Sequence, residues 1–139
     1  MVAFPLRRSS LYSSNLIGTI PDAVGAFVDM ESFLVSGSNL NGSLPASMSA
    51  WKEVKHFQVR DCHFDGALPV LNYHAMTGPT GSDCVLCGAA PFSRNGCEGN
   101  RFSCPFPQGV TDRCQKFNGN MELQPITNAD CYNSTAVIL

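Results

Sequence analysis

The chain has 139 residues, 44% of them hydrophobic and 14% charged, enough for one modest core and not for two. Nine Lys and Arg against eleven Asp and Glu give a net charge of −2, and no stretch gathers five like charges, which excludes a general nucleic-acid binder and a polybasic membrane anchor. Twelve Gly and nine Pro punctuate the chain too often for a bundle of long helices.

The first residues, Met1-Val2-Ala3-Phe4-Pro5-Leu6-Arg7-Arg8, place their charges after the apolar residues, the reverse of a secretory signal. No apolar run approaches the ~18 residues that a membrane helix needs. A repeat then begins. Asn15-Leu16-Ile17-Gly18-Thr19-Ile20-Pro21 returns as Asn39-Leu40-Asn41-Gly42-Ser43-Leu44-Pro45 and again as His63-Phe64-Asp65-Gly66-Ala67-Leu68-Pro69, 24 residues apart each time. The period extends upstream, where Leu6, Met30 and Val54 share one phase and Leu11, Val35 and Val59 another, with Phe33 and Phe57 in a third. It extends downstream too, where Val24 matches Met48 and Phe27 matches Trp51, which makes Phe27 and Trp51 packing residues.

Each copy reads as a short strand with alternate side chains inward, a bend at the Gly, and a Pro that starts a helical or 3₁₀ return leg. One such coil cannot bury its own apolar interior. Stacking does so, with Leu16, Leu40 and Phe64 in one column and Ile20, Leu44 and Leu68 in another.

On these motifs the segment from about residue 6 to residue 76 resembles the extracellular leucine-rich repeat family in its plant-type form, with the Leu-x-Gly-x-Ile-Pro turn. The resemblance implies an α/β leucine-rich-repeat solenoid with a short parallel β-sheet on its concave face. Where the family carries a ladder of Asn side chains, this chain has Ser14, Ser38 and Cys62, so Cys62 is expected to be a buried ladder residue rather than a disulfide partner or nucleophile.

A degenerate fourth copy follows over about residues 92–110, where Asn100-Arg101-Phe102-Ser103-Cys104-Pro105-Phe106-Pro107 restores the pattern with Cys104 in place of Gly and Asn100 in the ladder. Asn100 lies 38 residues after Cys62 rather than 24, so an insertion of about 14 residues is expected between Tyr73 and Pro91, with Cys84 and Cys87 inside it. Two domains' worth of pattern result: three repeats over 1–76, and a cysteine-rich segment over 77–139 that resembles the disulfide-stapled C-terminal cap of extracellular family members. The chain starts almost inside its first coil, which reads as a fragment of a longer array, and Thr135-Ala136-Val137-Ile138-Leu139 matches the start of a membrane tether outside the given chain.

Six cysteines, Cys84, Cys87, Cys97, Cys104, Cys114 and Cys131, crowd the last 56 positions and read as a disulfide framework of an oxidising compartment, hence an extracellular or cell-surface location. Six cysteines allow 15 pairings, and Cys104 with Cys114 is one expected bond. Asn41-Gly42-Ser43 and Asn133-Ser134-Thr135 are glycosylation sequons, with Asn41 and Asn133 as acceptors.

The Cys84-x-x-Cys87 pair also has the spacing of a zinc knuckle or a redox pair, but no second tight pair repeats it. Cys62 beside His63, with His56 and Asp61 near, is the one local set that offers a nucleophile and a base, yet the register turns Cys62 inward and Asp61 outward. No catalytic site and no cofactor or metal is expected.

The strand register assigns Arg7, Arg8, Ser10 and Tyr12 to the exposed concave face, followed by Glu31, Ser32, Leu34 and Ser36, and then Lys55, His56, Gln58, Arg60 and Asp61. Four basic residues against two acidic ones make this face positive on a negative chain, which suits an acidic protein or peptide ligand. The family resemblance implies non-catalytic recognition or adhesion. The alternatives are a secreted inhibitor of a hydrolase and a cysteine-rich metal-binding module.

Overall fold

The computed structural model describes residues 7–10, 16–77, 83–88, 97, 99–118 and 120–132. The alternating apolar residues of each copy produce the expected strand. Strands β1 (Arg8–Ser10), β3 (Ser32–Leu34), β5 (His56–Gln58) and β7 (Cys84–Cys87) lie side by side and parallel. The same six-stranded sheet is completed by β9 (Gln115–Phe117), parallel to β7, and β10 (Leu123–Pro125), antiparallel to β9. Partners in the first three strands are 24 residues apart, as Ser32 is from Arg8 and His56 from Ser32, so the sequence period is the strand spacing.

The Gly-containing bends form a second parallel sheet of β2 (Ile17–Thr19), β4 (Asn39–Ser43), β6 (His63–Gly66) and β8 (Arg101–Phe102). Gly42 and Gly66 take φ of 77° and 71°, a region that costs an L side chain roughly 1–2 kcal/mol. A Cβ on Gly42 would also run into the Thr19 side chain, and one on Gly66 into Ser43, so the glycine serves both the bend and the stacking. The prolines start 3₁₀ return legs at Asp22–Ala26 and Ala46–Ala50, with a third at Tyr73–Ala75.

Between the strands and the return legs lies one core. Phe33 stacks on Phe57 at 6.0 Å between ring centres, and Trp51 closes on Phe33 at 5.2 Å. Its indole N–H donates to the Val24 carbonyl at 3.1 Å, tying the second copy to the first. Phe64 stacks on Phe102 at 6.5 Å, carrying the Leu40 column into the fourth copy.

Several expectations need correction. The fourth copy begins earlier than residue 92, because Cys84–Cys87 is its strand, with Cys84 paired to Phe57. Cys84 and Cys87 therefore do not lie in an insertion. Extra chain enters partly before this strand and mostly after it, between Cys87 and Cys97, which a disulfide joins. The other bonds are Cys84–Cys114 and Cys104–Cys131, so Cys104 does not pair with Cys114. Cys62 is buried and free. Leu16 and Phe27 were expected inside but are 45% and 38% exposed, unlike their counterparts Leu40 and Trp51, which are packed between copies. Leu6, Leu11, Ser14, Tyr12 and Asn133 lie outside the described residues.

Candidate functional site

Parallel register turns sequence phases into columns across the sheet face. One column runs Arg7, Glu31, Lys55, knitted by the Glu31 amide donating to the Arg7 carbonyl at 2.7 Å and the Lys55 amide to Glu31 at 2.8 Å. A second runs Arg8, Ser32, His56 and ends beside Asp83; a third runs Ser10, Leu34, Gln58, Val85. Arg7, Arg8 and Lys55 are exposed, and among the described residues none of them enters an ion pair. Glu31 is half-buried between Arg7 and Lys55, and Leu34 and Gln58 are half-buried in the third column.

The rest of the face is engaged within the chain. His56 places Nδ1 3.1 Å from Oδ1 of Asp83, a carboxylate almost wholly buried beneath a half-exposed ring. Arg60 pairs with the Asp61 carboxylate and lies 4.9 Å over the Phe117 ring, a cation–π contact that carries it onto the C-terminal strands. Ser32 and Ser36, expected to face solvent, are buried, as is Val85. The expected footprint is thus divided: open cations on β1 and at the entry to β5, closed and neutralised chemistry from Arg60 to β7.

Asp83 and Phe117 were missed by the sequence reading. Asp83 becomes visible once Cys84 is aligned with Phe57, because the residue before it then falls beside His56. Phe117 comes from outside the repeat, and no periodic signal marks it.

Behind this face stands the ladder. Asn100 Nδ2 donates to the carbonyls of Val59 at 2.7 Å and Leu86 at 2.8 Å, while its Oδ1 accepts the Phe64 amide at 3.0 Å. Cys62 holds the same place one copy earlier, its thiol donating to the Val35 carbonyl at 3.2 Å and meeting Ser38 Oγ at 3.4 Å. Burial pushes the Cys62 thiol pKa up, against smaller contributions from the Ser38 hydroxyl and nearby amides. Such a thiol is inert, which fits packing and not nucleophilic chemistry. His63 is exposed on the second sheet.

All six clustered cysteines are joined in disulfides, the state of an oxidising compartment. Asn41 is exposed on β4. Among the described residues no helix is long and apolar enough to cross a membrane.

No protein-family model and no curated protein sequence matches the chain. Among solved structures, it is similar to a chain of the crystal structure of the BIR3–SERK2 complex from Arabidopsis thaliana, with a TM-score of 0.51 and 18% identity. The match covers 91% of this chain and 60% of that one, so this chain spans well under two thirds of that neighbour. The likeness is one of fold.

Proposed function

We propose that the stacked copies are a leucine-rich-repeat solenoid closed by the disulfide-stapled segment, and that it binds a protein or peptide ligand outside the cell without catalysis. The fold neighbour belongs to a complex of two plant proteins, which supports a protein as partner. The disulfides support an extracellular or surface location.

The observation that carries the reading is the trio of exposed cations Arg7, Arg8 and Lys55, none in an ion pair among the described residues, at the starts of the strands whose far ends carry half-buried Leu34. The partner surface that suits them is acidic with an apolar anchor. Arg60 is left out of the footprint, since its charge is met by Asp61 and its plane by Phe117.

The test is an amide-resonance titration with an acetylated decapeptide of alternating Glu and Tyr. Saturable shifts at Arg8, Leu34 and Lys55 are expected, weakening about tenfold or more in Arg7→Glu/Arg8→Glu/Lys55→Glu, while the urea midpoint moves little. Unchanged binding by the triple variant would sink the reading.

A further inference from the structure

A second site lies on the flank, away from the sheet face. Where each strand of the second sheet passes into its 3₁₀ leg, the chain turns through an apolar residue and a proline, and three such corners stacked in register enclose an open groove of about 960 Å³. Its floor is apolar, with Leu44 and Leu68 buried beneath it. One phase of the repeat then distinguishes its two ends: the residue after the proline is Asp22 in the first copy, Ala46 in the second and Val70 in the third.

At one end Asp22 is exposed, and at the other Val70 stands 69% exposed, at a position that its counterparts fill with Asp and Ala. No Lys or Arg lines the groove. Ser43 of the lining is engaged by a carboxylate outside it, its Oγ donating to Asp65 Oδ1 at 3.2 Å. The groove is therefore apolar along its floor, acidic at one end, and opposite in sign to the open cations on the sheet face.

We propose that this groove binds an extended peptide segment of a partner protein that carries a Lys or Arg about three residues from a bulky apolar side chain. The spacing follows from the fold. Neighbouring copies stack about 4.8 Å apart, so Asp22 and Val70 are separated by two spacings, about 10 Å, and a polyproline II chain, rising about 3.1 Å per residue with three residues per turn, brings side chains three apart to one side over that distance. The cation meets Asp22, the apolar side chain covers Val70, and the residues between cross Leu44 and Ala46.

The probes are acetyl-Lys-Ala-Ala-Leu-amide and its counterpart with Glu for Lys, titrated into the isotopically labelled full chain. The expected result is saturable shifts at Ala46, Ala67 and Val70, with the Glu peptide binding about tenfold more weakly. Asp22→Lys should reverse that preference, and Val70→Asp should weaken both peptides; both positions are at the surface, and the amide spectrum reports that each variant is folded. The proposal is overturned by no saturation up to about 10 mM, by shifts that fall outside the groove, or by a Lys-over-Glu preference that survives Asp22→Lys. Because shifts at Arg8 and Lys55 report the sheet face separately, failure here and failure of the concave-face reading are distinguishable.

Discussion

Asp61 carries a backbone conformation that its neighbours give to glycine. Its φ is 55°, and the residues in the same place of the adjacent copies are Gly37 at 78° and Gly99 at 85°. The position immediately precedes the ladder residue, where the chain must turn left-handed to aim the ladder side chain inward. Aspartate tolerates this better than most residues, and its carboxylate is held by Arg60 and packed so closely that a Cβ on Gly88 would strike it. Asp61→Ala keeps the left-handed cost and loses the pair, so it should lower stability by about 1 kcal/mol, whereas Asp61→Gly relieves that cost and should fall within about 0.5 kcal/mol of the parent. Urea denaturation of the two variants checks the ordering, and an Ala variant as stable as the Gly variant would refute it.

At the scale of the element, Asn100 does the most. One side chain satisfies an amide of the third copy and carbonyls of the third and fourth, across the place where the period breaks. Asn100→Ala leaves those groups buried without partners and should cost about 3 kcal/mol, read as a lowered urea midpoint, against about 1 kcal/mol for Cys62→Ala. An Asn100 loss no larger than the Cys62 loss would mean that water replaces the ladder. Beyond it, Lys116 Nζ bonds the buried Asp130 carboxylate at 2.6 Å and so fastens β9 to the 3₁₀ turn Asn128–Asp130.

How much of this was legible differs by element. The bend and the ladder were readable because Gly, Pro and Asn are there for reasons local to a few residues: a φ, a missing N–H, an amide with both donor and acceptor. Asn100 could be placed from its own surroundings even though the period had slipped. The strand Cys84–Cys87 was not readable in the same way, because cysteine at an inward phase looks like a staple before it looks like core. Disulfide partners are set by which elements meet in space, and Cys104 meets Cys131 through a chain reversal that no spacing records. The candidate site was half legible: register named the face, but the closure of its far end by Asp83, Val85 and Phe117 depends on packing from outside the repeat.

For the whole molecule, a buried thiol and a buried phenol set a limit at high pH. Burial raises the Cys62 thiol above its ordinary 9.0 and drives the Tyr73 hydroxyl far above its ordinary 10.0. Below those values both groups are protonated in the folded and unfolded chains alike. Above them the unfolded chain loses protons that the folded chain keeps, so stability is full below pH 9.0 and falls as the pH rises, first through Cys62 and then through Tyr73. Urea midpoints followed from about pH 8 to 11 should decline, and Cys62→Ala should remove the earlier part of the decline. A flat profile would show that these groups titrate as freely inside as outside.

All three disulfides tie residues from Cys84 onward, and among the described residues before Cys84 none is held by one. In a stack where each coil leans on the next, resistance to opening accumulates toward the stapled end. The protein therefore has a gradient of opening: amide protons of the disulfide-free strands β3 to β6 are released before those of β7 and β9, whose near ends the Cys84–Cys114 bond joins.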